Sequence, residues 1–308
     1  MKLTNSTNYD VLLSKKRKEF EFYYIEMILN KWLGKFKLNG LSYRQEKFFL
    51  MRLWDTGSVA FCRPTNYDLL TKYQIDEMLG EESILVVRYA PSNRYNIYNY
   101  PTHAFAINNR GVKFIPYNEL EIDKDIVIVY SQANEHSIFE SIKSKIDKIV
   151  DLEMILYACN KIQKSNWALG INIDDKTATN GIISQLMSDK PFVIATFEQL
   201  KEVGQIGNNA PFISDKIEMM IQSNLDSIYT YLGFNNVGVL EKKEHLLDNE
   251  INANNEVIAS NNDNFIEKIS QGLDRVNSVF GTNISIELTN KEINLDSKDK
   301  DEEEQEND

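Results

Sequence analysis

The chain has 308 residues, 42% of them hydrophobic, and a formal net charge of −12, which allows one or two cores in units of about 100 to 200 residues. No stretch reaches the roughly 20 apolar residues of a membrane span and no apolar signal segment opens the chain, so a soluble, unprocessed protein with no membrane partner is expected. The cysteines Cys62 and Cys159 lie far apart, and His103, His136 and His245 lack ligand spacing, which argues against disulfide stapling and against a metal site.

The charge is uneven. Residues 291–308 hold nine acids against Lys291, Lys298 and Lys300, so half of the net charge sits in a segment read as a disordered acidic tail, 289–308. Its opposite pole is the basic cluster Lys15, Lys16, Arg17 and Lys18, which suits either a solvated helix face or a phosphate contact.

After an N-terminal arm over 1–13, Phe22, Ile25, Leu29, Trp32, Leu33 and Phe36 form the stripe of an amphipathic helix over about 14–37, ended by Gly40. Residues 41–134 carry short β-rich runs at 57–61, 84–89 and 126–130 between Asn, Pro and Gly turns, a mixed α+β segment. Its tyrosines, Tyr89, Tyr95, Tyr98 and Tyr100, suit core or interface packing better than base stacking. A second helix opens at Ser137, with Glu140 completing a capping box. Ile138, Ile142, Ile146, Ile149, Leu152, Leu156, Cys159 and Ile162 keep its stripe to about Lys164, a rod of about 40 Å.

A small, mostly β insertion is expected between about 166 and 211. A third helix then places Ile217, Ile221, Leu225, Ile228 and Leu232 on one face, with Gly233 at its end. An Asn-rich stretch with little apolar periodicity follows, read as a long loop around Leu240-Glu241-Lys242-Lys243-Glu244. Ile266, Ile269, Leu273, Val276 and Phe280 predict a last helix capped by Gly281, and residues 283–288 alternate as a strand.

The chain has no phosphate-binding glycine loop, no nucleophile elbow, no zinc-protease motif and no dinucleotide fingerprint. No catalytic, cofactor-binding or metal residue is nominated, and a structural or conduit role is the default. The long helices suggest stripes that one chain cannot bury, so that sister copies would cover them and close into a ring.

This order of elements resembles the connector, or upper collar portal, proteins of picovirus-type short-tailed bacteriophages, over about residues 14–288. The best-matched block runs from Asn209-Ala210-Pro211-Phe212 through Tyr229-Thr230-Tyr231-Leu232-Gly233-Phe234 and Leu240-Glu241-Lys242-Lys243-Glu244 to Phe280-Gly281, with a weaker match at Gly57-Ser58-Val59-Ala60-Phe61. The resemblance implies an α+β portal fold. Its parts would be a mixed α/β wing within 14–134, long stem helices at 137–164 and 212–233, a small SH3-like β clip at 165–211, a channel loop at 234–256 and a helical crown at 257–288.

It further implies a structural, non-enzymatic protein without cofactors, assembled in the host cytoplasm into a homo-oligomeric ring of twelve at one capsid vertex. Double-stranded DNA would pass through the ring. Its partners would be the major capsid protein, the packaging ATPase, a lower collar or tail protein and a scaffold protein. By position, Lys216, Lys242 and Lys243 would come closest to phosphate, few enough not to arrest a moving duplex. Family members can carry another basic residue just before the Ala-Pro pair, where this chain has Gly207, Asn208 and Asn209, so a two-ring lysine arrangement is not expected. The alternative is a head-completion or collar adaptor ring, although adaptors are usually shorter and lack a helix-β-helix stem.

Overall fold

The computed structural model describes residues 7–65, 84–107, 115–164, 213–235 and 248–289. In chain order the elements are α1 (Thr7–Leu33), β1 (Phe36–Asn39), α2 (Tyr43–Thr56), β2 (Ser58–Cys62), β3 (Leu85–Pro91), β4 (His103–Ile107), β5 (Glu119–Glu121), β6 (Ile126–Tyr130), α3 (Ile138–Lys164), α4 (Ser214–Tyr231), α5 (Asp248–Phe280) and β7 (Ser285–Leu288). The fold is α+β. The chain divides into two compact units, one of residues 1–27 and 142–261, the other of residues 28–141 and 262–308.

Among the described residues, all the strands belong to the second unit. An antiparallel five-stranded sheet has the order β5-β4-β3-β2-β6, and β1 pairs antiparallel with β7 in a separate ribbon. One face of the larger sheet closes over Ala60, Cys62, Leu85, Val87, Ala104, Ala106, Leu120, Ile126 and Ile128. Burial there pushes the Cys62 thiol up to about 12, leaving it an inert part of the core.

Elsewhere in this unit, aromatic side chains dominate. Trp32 meets Phe36, Trp54 and Phe265 at ring-centroid distances of 5.0, 6.4 and 5.4 Å, and its indole N–H donates to the Leu50 carbonyl at 3.2 Å. The bulkiest side chains are thereby sealed with their one polar atom satisfied. Arg63 donates to the Phe280 carbonyl at 2.8 Å, satisfying an acceptor that the end of α5 leaves open.

Local chemistry explains where the structure departs from the sequence reading. α1 starts at Thr7, so the segment read as an arm is helical from there, and it stops at Leu33. Phe36 belongs to β1. The buried face of α1 is Tyr24, Ile28 and Trp32, while Phe22 is 67% exposed. α2 was not foreseen, although Ser42 and Gln45 form a reciprocal capping box at its start. Gly57 closes α2 with φ 73°. A Cβ at Gly57 would stand 2.2 Å from the His136 carbonyl oxygen, so only glycine fits this corner.

The last helix is also longer than its stripe suggested: α5 is one rod of 33 residues, about 50 Å. Residues 248–256, read as loop, are helical. The expected clip at 165–211 lies outside the described residues, as do residues 236–247 of the expected channel loop.

Candidate functional site

The residues singled out for phosphate contact all fall in the helical unit. α4 presents Ile217, Ile221, Leu225, Ile228 and Leu232 inward, the face its spacing predicts. The other side carries Asp215, Lys216, Glu218, Met219 and Met220, all exposed. Lys216 sits in the first turn and makes no ion pair among the described residues. A cation at the positive end of a helix dipole costs about 0.3–1 kcal/mol. Lys216 therefore does nothing for the stability of its helix and is open to an external anion. Lys242 and Lys243 lie outside the described residues.

The basic cluster on α1 is divided in its duties. Lys16 pairs with Glu19 at 3.2 Å and lies over the Phe20 ring, and Arg17 pairs with Asp151 on α3. Lys15 and Lys18 are left exposed. Arg17 thus serves as a tie to α3 rather than as a free positive charge.

Seven residues on, Tyr24 donates its hydroxyl to Glu153. Burial, together with the adjacent Glu153 carboxylate, holds the Tyr24 phenol well above its ordinary range, so it remains a donor at any physiological pH. Lys145 bonds Ser227, tying α3 to α4. The Asn261 amide donates to the Thr230 carbonyl at 2.8 Å, and the Thr230 hydroxyl donates to Asn254 at 3.4 Å, tying α4 to α5.

None of these ties was anticipated from sequence. A usable signal existed in Asn254, Ile258, Asn261 and Phe265, whose steps of four, three and four are those of a helix seam. Ile258 and Phe265 are buried, and the two asparagines alternate with them along the seam. Asparagine is a weak helix former, so the polar seam is visible only once the partner helix supplies Thr230.

α3 changes character along its length. Ile138, Ile142, Ile146, Ile149 and Val150 are buried, whereas between 151 and 160 no residue is fully covered. Ile155 is 47% exposed there, and on α4 Met219 is 70% and Met220 53% exposed. Leu152, Met154, Leu156, Tyr157 and Cys159 are only half-buried.

Among the described residues no group of His, Cys, Asp and Glu side chains could hold a metal ion, and no helix is long and apolar enough to cross a membrane. A sequence-family profile described as Phage Connector (GP10) matches residues 7–294. A solved structure entitled "Portal and tail of native bacteriophage P68" is similar at 14% identity with a TM-score of 0.46, covering 100% of this chain and 99% of that one.

Proposed function

The chain belongs to the phage connector family, and from that premise we propose that twelve copies close a ring through whose axis the double-stranded DNA genome is packaged and later ejected. As a connector the protein is a structural portal subunit of a bacteriophage virion, placed at the head–tail junction in an oligomeric ring with head and tail components. In the finer reading, the ring is assembled in the host cytoplasm and seated in the major capsid protein with help from a scaffold protein. It engages the packaging ATPase first and the lower collar or tail protein afterwards, with no catalysis of its own.

The observation that carries this reading is the half-covered apolar side of α3 beyond Val150, with Ile155 exposed, together with the exposed Met219 and Met220 on α4. A lone subunit leaves these side chains in water, and a neighbour related by a rotation that closes would cover them at every position of the ring. The stem assignment of α3 and α4, the wing within 14–134, the clip at 165–211, the loop ahead of α5 and the crown at its far end follow from the same reading. Lys216, exposed and without an ion pair among the described residues, with Lys242 and Lys243, would supply the few positive charges that meet passing phosphates; a sparse set weakens with salt and does not hold the duplex. Lys15 and Lys18 remain the cluster's candidates for a phosphate contact.

Electron micrographs of the purified protein test this directly. Rings of twelve with an axial hole are expected. Monomers or dimers alone, at high concentration and low salt, would refute the proposal. In assembled particles, Lys216→Ala should leave ring formation intact and alter the rate of DNA passage; an unchanged rate removes Lys216 from the channel.

A further inference from the structure

Two helices of the unit of residues 1–27 and 142–261 keep a side in water, and the two sides carry opposite charge. On α1, Val11, Lys15, Lys18 and Phe22 follow one another at steps of four, three and four, so they share one side of the helix. All four are exposed, Val11 at 62% and Phe22 at 67%, while Tyr24 turns inward. The nearest acids, Glu19 and Glu21, fall on the flanks of this side, and Glu19 is held by Lys16. Lys15 and Lys18 have no ion pair among the described residues.

On α4, Asp215, Glu218 and Gln222 line one side at steps of three and four, with Met219 beside them. Asp215, Glu218 and Met219 are exposed. The Gln222 amide donates to Asp226 at 2.8 Å, which extends the acidic side by a turn. Asp215 and Glu218 likewise have no ion pair among the described residues. Lys216 and Met220 fall on the next side of the helix, so no cation interrupts this one.

We propose that α1 of one copy lies against α4 of the next, Lys15 and Lys18 facing Asp215 and Glu218, while Phe22 and Met219 leave water together. The inference rests on the ring reading above and names a contact that closes it. Lys15 and Lys18 stand three residues apart, as do Asp215 and Glu218, a rise of about 4.5 Å on each helix, so both pairs can meet at once. The two sides are different patches of one chain, and a contact between different patches repeats from copy to copy until the rotation closes. The apolar pair supplies the attraction, and the charges select partner and register. A DNA phosphate would meet the lysines, but it would leave Val11 and Phe22 in water and repel the acids of α4.

Sedimentation and electron micrographs of full-length variants test the contact by exchanging its charges. Lys15→Glu with Lys18→Glu should lower ring yield roughly tenfold, and so should Asp215→Lys with Glu218→Lys, because each places like charges face to face. An equimolar mixture of the two proteins should restore rings, since the reversed α1 of one then meets the reversed α4 of the other; that recovery also shows both variants to be folded. Normal yield from either variant alone, or a mixture that stays unassembled, overturns the proposal. So does a lysine-reversed protein that forms rings and only binds duplex DNA less tightly, which would give the cluster to phosphate. Unaltered protein that forms no ring refutes the ring reading itself.

Discussion

In the unit of residues 28–141 and 262–308, Trp32, Trp54, Phe49 and Phe61 are all sealed, whereas the unit of residues 1–27 and 142–261 keeps Ile155, Met219 and Met220 in solvent. The first closes over a sheet and an aromatic cluster, while Tyr43, Ile97, Tyr98 and Tyr117 stay exposed at its surface. The second buries an aliphatic stripe, Ile142, Ile146 and Ile149 on α3 and Ile217, Ile221 and Ile228 on α4, and adds polar ties between helices: Arg17 to Asp151, Tyr24 to Glu153, Lys145 to Ser227 and Asn261 to Thr230. Such ties orient helices without hiding apolar area, and each contributes about 1 kcal/mol.

The comparison breaks first at the aromatic cluster. Trp32→Ala should cost about 3–5 kcal/mol in denaturant unfolding, since it removes three ring contacts and the bond to Leu50; a loss below 1 kcal/mol would show that this unit is not sealed as described.

Lys35 sharpens it. Its ammonium lies 5.7, 4.9 and 5.1 Å from the ring centroids of Trp32, Phe36 and Phe265, and burial lowers its pKa from 10.5 to about 7. The rings favour the charged form, and desolvation outweighs them. Between pH 7 and 10.5 the unfolded chain holds a proton that the folded one has released, so stability should rise with pH across that window, by at most about 1.4 kcal/mol per pH unit. Lys35→Met should flatten the rise, as read from unfolding midpoints between pH 7 and 10.

In the helical unit, Asn261→Ala should cost about 1 kcal/mol through the orphaned Thr230 carbonyl, measured in the same unfolding experiment. The smallest folding effect belongs to Met219→Asp, within about 0.5 kcal/mol for an exposed site. Yet ring yield in sedimentation should fall sharply, and rings at the normal yield would place Met219 away from the subunit contact.

Legibility in the sequence follows the same division of labour. The stripe of α4 is readable because each of its apolar positions is buried by the chain itself. The stripe of α3 is equally regular, yet Leu152, Leu156 and Cys159 are only half-buried, so periodicity reports a face and not how fully it is covered. On α1 the spacing favoured Phe22, Ile25 and Leu29, while Tyr24 and Ile28 are the buried ones; Tyr24 goes inward because Glu153 satisfies its hydroxyl. The start of α5 was hidden because asparagines hold seam positions that a hydropathy pattern scores as loop. Of the candidate phosphate contacts, Lys216 is exposed on the first turn of α4. The duty of Arg17 could not be read locally, since its partner lies 134 positions away.

Gly272 carries a consequence for the tolerance of the chain to change. It lets α5 approach β6 until a Cβ would lie 3.1 Å from the Val129 Cα, so even alanine must wedge helix and strand apart. A scan of every codon in α5 should find position 272 intolerant of every larger residue, whereas the exposed Asp274 accepts almost any replacement. One missing methyl group thereby sets the fit of the longest helix against the sheet.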